Sequence, residues 1–225
     1  MTNNTVLLNA VRTVGIVKPI FNAVTVNFEP PRLNVFGTGF WIDGYFVTCA
    51  HVVGDIYGKD PQEVGILVVG GNAKPYRKAK TIIIDELHDI AVLEIQPLNN
   101  DDLGLLKAES EAGLTLHAGA LQVGQEIAYA GFPLGMQLLN EKHSPSYAEG
   151  VIGSEVLEQN QGRKTVQISG PVIGGYSGSP IVLRSAPNEV VSIVSHSPSA
   201  EAGQASIFRG IHAKHIGQIV QLAKS

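Results

Sequence analysis

The chain has 225 residues, 44% hydrophobic and 16% charged, with 25 glycines and 12 prolines, the composition of an ordered, turn-rich protein long enough for one large or two small cores. A net charge of −4 offers no basic footprint for a phosphate backbone, so no nucleic-acid partner is expected. The single cysteine excludes an internal disulfide framework, residues 1–25 lack the pattern of a secretion signal, and no stretch is apolar enough to span a bilayer. Together these read as a cytoplasmic protein with no membrane partner.

In chain order, residues 11–20 mix β-branched residues and read as a first strand ending at Pro19, with a loop over 22–33 punctuated by Pro30-Pro31. Two apolar runs then flank Asp43-Gly44, a strong hairpin signal because a type I′ turn needs positive φ at both central residues. The second run leads directly into Thr48-Cys49-Ala50-His51-Val52-Val53. His51 therefore stands at a strand end beside small residues; alone, it could equally be a core histidine bonded to a carbonyl. Strands follow at 63–69 and 80–84, separated by Gly70-Gly71-Asn72 and a basic stretch, 74–80, read as a solvated strand face. The glycine pair lacks the Gly-Lys-Ser/Thr ending of a phosphate loop.

Asp85-Glu86-Leu87-His88-Asp89 leads into the apolar run Ile90-Ala91-Val92-Leu93. An acid at the head of such a strand can accept a hydrogen bond from an imidazole and fix its tautomer. Asp89 is the candidate, with Asp85 as competitor on the far side of the turn. Polar residues from Pro97 to about Gly113 read as a connector between two halves, 1–110 and 111–225. In the second half, Gly131-Phe132-Pro133-Leu134-Gly135 is turn-rich, 137–147 reads as a mobile loop, and strands fall at 150–157 and 165–169. A hairpin of 181–183 and 190–195 has Pro187-Asn188 at its tip. Apolar residues at helical spacing over 211–222 predict a terminal amphipathic helix packed on the second half. His212 and His215 on it are expected to face solvent, with no third ligand for a metal.

Gly174-Gly175-Tyr176-Ser177-Gly178-Ser179-Pro180 is the most informative stretch. Glycines on both sides of Ser177 let the backbone approach a substrate closely and leave N–H groups pointing outward, as an oxyanion hole requires. A serine is a weak nucleophile, so this reading needs a general base and a group to orient it. Taken alone, the stretch could be a turn whose serine bonds only its own backbone.

The order His51, Asp89, Ser177 in a chain of short strands differs from the Ser-Asp-His order of an α/β-hydrolase. Gly37-Thr38-Gly39-Phe40, the Thr48-to-Val53 motif, Asp89-Ile90-Ala91-Val92-Leu93, the Gly131 motif and Gly175-Tyr176-Ser177-Gly178-Ser179-Pro180 together resemble chymotrypsin-like serine proteases, specifically HtrA-type trypsin-like peptidases without disulfides. The resemblance covers residues 11–222 and implies an all-β fold: two perpendicular six-stranded β-barrels and a C-terminal helix. The first barrel would carry His51 and Asp89, and the second Ser177.

The same resemblance implies a serine endopeptidase working through an acyl-enzyme on protein or peptide substrates, without cofactor or metal. Main-chain N–H groups of Gly175 and Ser177 would form the oxyanion hole. Pro171, Val172 and Ile173 would floor the specificity pocket, with Ser195, His196, Ser197 and Ser206 as walls and the strand through Ser195 and Ser197 pairing with the substrate. An uncharged floor implies preference for small or medium apolar side chains, with His196 the one feature that could favour acidic or amide ones. Departures from the family are the expected absence of a PDZ domain after the terminal helix and of an activation-cleavage site near the N-terminus. Control by ordering of the loop 137–147 is the expectation instead. The alternatives are a pseudoprotease acting as a peptide-binding module and a structural protein with an incidental glycine-rich turn.

Overall fold

Strand pairing resolves the chain into two closed barrels. The computed structural model describes residues 4–22, 27–54, 63–68, 75–134, 144–158, 162–195 and 207–225. A short helix α1 (Asn4–Ala10) precedes β1 (Val11–Asn22), β2 (Asn27–Ile42) and β3 (Tyr45–Thr48), and a single helical turn α2 (Ala50–Val53) follows them. β4 (Val64–Leu67), β5 (Tyr76–Asp85) and β6 (Ile90–Ile95) complete the first barrel, in the closed order β1-β2-β3-β6-β5-β4. Helix α3 (Asn100–Glu111) and the two-residue strand β7 (Thr115–Leu116) lead to β8 (Glu126–Gly131), β9 (Ser146–Glu158), β10 (Arg163–Ser169), β11 (Pro180–Leu183), β12 (Ala186–Val194) and β13 (Ile207–His212). These six strands close through a β11–β12 pairing, and β7 adds in parallel to β12. Helix α4 (Ala213–Lys224) ends the chain, and the barrels pack near-orthogonally.

Side-chain alternation explains how the barrels meet. Along β8, Ile127 and Tyr129 enter the core of the second barrel, while Ala128 and Ala130 join the cluster that holds the first barrel's core. β11 does the same with Ile181 and Leu183 inside and Val182 outward. This is the period of two of a strand buried on both faces. Small residues on the outward face of β8 let the barrels approach, which sets the cleft between them.

The Asp43-Gly44 hairpin is present, with φ of 51° and 83° at its two central residues. Elsewhere the structure corrects several expectations. The loop expected over 22–33 belongs mostly to a long β1–β2 hairpin that pairs out to Asn22↔Asn27. Its register shifts between Lys18↔Arg32 and Ile20↔Glu29, so Pro19, Pro30 and Pro31 fall where no ladder N–H is required. The tip of the β11–β12 hairpin is Arg184-Ser185, because Leu183 pairs Ala186; Pro187 and Asn188 lie in the irregular register beyond it. Residues 137–143 of the expected mobile loop lie outside the described residues, whereas Ser146 and Tyr147 begin β9.

The polar connector contains helix α3, capped by the Asn99 side chain accepting the Asp102 N–H at 3.0 Å, with Asp101 and Asp102 in the first turn. Arg77, in the stretch read as a solvated face, is 1% exposed and fastens α3 to the barrel. Its guanidinium donates to both Asp102 oxygens at 2.8 and 2.7 Å and to Glu109 at 3.0 Å, and Glu109 also meets Arg12 at 3.2 Å.

The terminal helix starts at Ala213 and touches β12 and β13 but also β5 and β6 of the first barrel, so it belongs to both. His212 and His215 are buried, not solvated: His212 caps the helix by accepting the Lys214 N–H at 3.0 Å, and the His215 ring is wedged against the first barrel.

Candidate active site

His51 occupies the turn of helix α2, which forms because Cys49 is extended and the Gly54 N–H returns to the Ala50 carbonyl at 2.7 Å. Asp89 closes the β5–β6 turn with φ 54°, a left-handed conformation that aspartate adopts more readily than most non-glycine residues. The two side chains meet. His51 Nδ1 lies 2.9 and 2.8 Å from the two Asp89 oxygens, and the His51 main-chain N–H donates to Oδ1 at 3.0 Å. Because the carboxylate only accepts, Nδ1 carries the proton, and Nε2 of the neutral ring is left as the basic nitrogen. The Ser195 hydroxyl, buried in the second barrel, donates to Asp89 Oδ2.

Burial alone would raise the Asp89 pKa. Hydrogen bonds and charge from His51, with the Ser195 hydroxyl adding a further donor, outweigh it and hold the group at about 2. Asp85 makes no such contact with His51. Its carboxylate instead receives the main-chain N–H and ring Nδ1 of His88, at 3.1 and 2.6 Å.

Ser177 lies in the Gly174-to-Ser179 turn, partly exposed, and that turn is pinned by the first barrel. The Thr38 N–H donates to the Ser177 carbonyl at 2.8 Å and the Thr38 hydroxyl to the Gly175 carbonyl at 2.9 Å, while the Phe132 N–H donates to the Thr38 hydroxyl at 3.1 Å. Gly37 is glycine for a steric reason: an added Cβ would lie 2.7 Å from both the Ser177 carbonyl oxygen and a Val52 methyl. The serine turn and the histidine turn therefore touch the same residue. Val194 joins them a second time, its carbonyl accepting the Gly178 N–H at 2.8 Å and the Cys49 thiol at 3.1 Å. Gly175 and Gly178 have φ of 99° and 86°. Among the described residues, no main-chain carbonyl takes the N–H of Gly175 or of Ser177.

Cys49 Sγ, a His51 ring nitrogen and an Asp89 oxygen lie within 4.8 Å of one another, a spacing that a metal could bridge. The donor chemistry does not fit one. A metal needs the thiolate, whereas burial, and then the charge of Asp89, push the Cys49 thiol well above its ordinary pKa, and the thiol donates to Val194. The cluster is a hydrogen-bonded system with its protons in place.

The remaining expected site residues are placed unevenly. Val172 is half-buried against the second barrel's core, and Ile173 is half exposed. The Tyr129 hydroxyl donates to the Pro171 carbonyl at 2.6 Å and so steadies that segment from below. The Ser195 hydroxyl is committed to Asp89, which leaves its main chain as the polar group it can offer a substrate. His196, Ser197 and Ser206 lie outside the described residues. Sequence reasoning missed Thr38 as the clamp on the serine turn and Ser195 as a partner of Asp89. The Gly37-Thr38-Gly39 motif was the available signal for Thr38.

Two barrels with a hydrogen-bonded His–Asp pair in one and a glycine-rich serine turn in the other define a chymotrypsin-type peptidase. The family model described as trypsin-like peptidase domain matches residues 37–193, more than half of the chain, and the chain belongs to that family. Comparison with curated proteins returns no match. The activity is that of a serine endopeptidase on protein or peptide substrates.

Proposed function

We propose that Ser177 is the nucleophile, His51 the general base and acid, and Asp89 the group that orients and stabilises the imidazole. The Ser177 oxygen bonds to the scissile carbonyl carbon as its proton passes to His51 Nε2. That proton then goes to the leaving amine as the C–N bond breaks, and water releases the acyl group by the same route in reverse. The N–H groups of Gly175 and Ser177 receive the developing oxyanion, each such donor being worth about 3 kcal/mol. The observation that carries this reading is the run Ser195, Asp89, His51, together with a serine turn tied through Thr38 to the barrel that carries the histidine. A fluorophosphonate probe tests it: labelling of the native protein that vanishes in Ser177→Ala supports it. An unlabelled native protein that still binds peptides favours the pseudoprotease.

Preference for a small or medium apolar residue before the scissile bond follows from the uncharged Pro171, Val172 and Ile173. A buried lysine or arginine without an acid would cost several kcal/mol, whereas apolar burial contributes roughly 25 cal/mol per Å². Substrates differing only there, Val against Glu against Arg, decide it. Arginine in front refutes the floor argument, and glutamate in front assigns the pocket to His196.

A further inference from the structure

Asp89 is held on one side by His51 and Ser195; the turn that carries it is held on the other by the terminal helix. Asp85 binds His88 through both its main-chain and its ring nitrogen, and the His88 ring lies face to face with His215 of α4, centroids 4.1 Å apart and planes 24° from parallel. His215 is 5% exposed, and both of its nitrogens are engaged. Nε2 accepts the Lys164 N–H at 2.8 Å and so bears no proton, which leaves Nδ1–H facing Gln218 Oε1 at 3.2 Å.

His88 and Asp89 are consecutive in the tight turn between β5 and β6, with Asp89 in the left-handed region. A displacement of the His88 ring is therefore passed to the carboxylate. The charged groups around the stack are Asp85 from the turn and Lys164 from β10, whose Nζ meets Glu155 of β9 at 3.0 Å. His212 and Lys214 come from the start of α4, with His212 Nε2 3.2 Å from Glu155. Burial first, and then positive charge on His88, hold the His215 pKa down to about 4. A proton there would displace the Lys164 N–H from Nε2 and set a cation against the His88 ring.

We propose that His215 and His88 are positioning residues for the catalytic carboxylate: through their stack, α4 holds the turn 85–89 so that Asp89 faces His51, and protonation of His215 releases it. The kinetic side of this proposal rests on the peptidase reading; its spectroscopic side does not.

Two variants of the full chain separate the parts of the contact. His215→Gln keeps an acceptor for Lys164 but loses the ring; His215→Phe restores the ring without charge. Steady-state kinetics and the low-field NMR resonance of the His51 Nδ1 proton are measured for each. In the Gln variant, kcat should fall on the order of tenfold to a hundredfold with KM unchanged, and the resonance should move; Phe should recover most of both. In the native protein, kcat/KM should steepen from first to second order in protons as pH falls toward the His215 pKa of about 4, and the Phe variant should stay first order. Equal kcat in the Gln variant and the native protein, an unmoved resonance, or first-order behaviour of the native protein throughout overturns the proposal. A native protein that hydrolyses nothing but whose resonance responds as stated refutes the peptidase reading and leaves the positioning intact.

Discussion

His51 grips Asp89 twice, with its main-chain N–H on Oδ1 at 3.0 Å and its ring Nδ1 2.8 Å from Oδ2. One residue thereby fixes both the place of the carboxylate and the tautomer of its own ring. Asp89→Asn presents an NH₂ to one of these donors, so the ring must turn or change tautomer. Turnover should fall by about 10⁴-fold. Asp85→Asn retains an acceptor for His88 and should cost far less. A peptide or ester assay on the two variants compares them, and the reverse ranking would move the catalytic acid to Asp85.

Ser195→Ala removes a donor from a buried charge and should destabilise the fold by about 1.5–3 kcal/mol at neutral pH. The folded pKa of Asp89, about 2, is below its ordinary 3.8, so this stabilisation is complete above the ordinary value and is lost as pH falls through the folded one. The gap in urea midpoint between native and variant proteins should be full at pH 7 and narrower at pH 3. A constant gap would mean that Ser195 acts through packing alone.

At Gly175 an added Cβ would strike the Phe132 carbonyl oxygen, with φ at 99° disfavouring any side chain as well. Gly175→Ala should therefore shift the serine turn, abolish fluorophosphonate labelling and leave most of the thermal transition in place, because Gly175 contributes no core volume. Retained labelling would show that the turn is less constrained than its contacts with Thr38 imply.

Arg77→Ala should cost about 3–5 kcal/mol, because it leaves Asp102 and Glu109 as buried acids without their main cation. Hydrogen exchange in residues 100–111 should rise before that of the strands. An unchanged melting temperature would make the network dispensable.

The legible parts of the fold and site were those encoded locally. Asp43-Gly44, the Thr48-to-Val53 motif and the Ser177 turn each carry their geometry in adjacent residues, so the His51, Asp89 and Ser177 candidates could be picked out without coordinates. Helix α3 was harder to see, since Leu103 and Leu105 face solvent and Leu106 alone of the three is buried. Its apolar stripe is weak, and Arg77, more than twenty residues earlier, anchors it; only Asn99 and the acids after it announced a helix start. His215 misled for a related reason. A histidine on a helix looks solvated until the strand turn that stacks on it is known.

Both ends of the chain cross over. Helix α1 rests on β8 and β12 of the second barrel, while α4 lies on β5 and β6 of the first, with the Tyr45 hydroxyl donating to the Ala223 carbonyl at 3.1 Å and Lys224 3.2 Å from Asp43. During synthesis the first barrel must wait, partly uncovered, until α4 has left the ribosome. Once closed, the two barrels are clasped by α1 and α4, so a cut in the segment between the barrels yields two fragments that stay together.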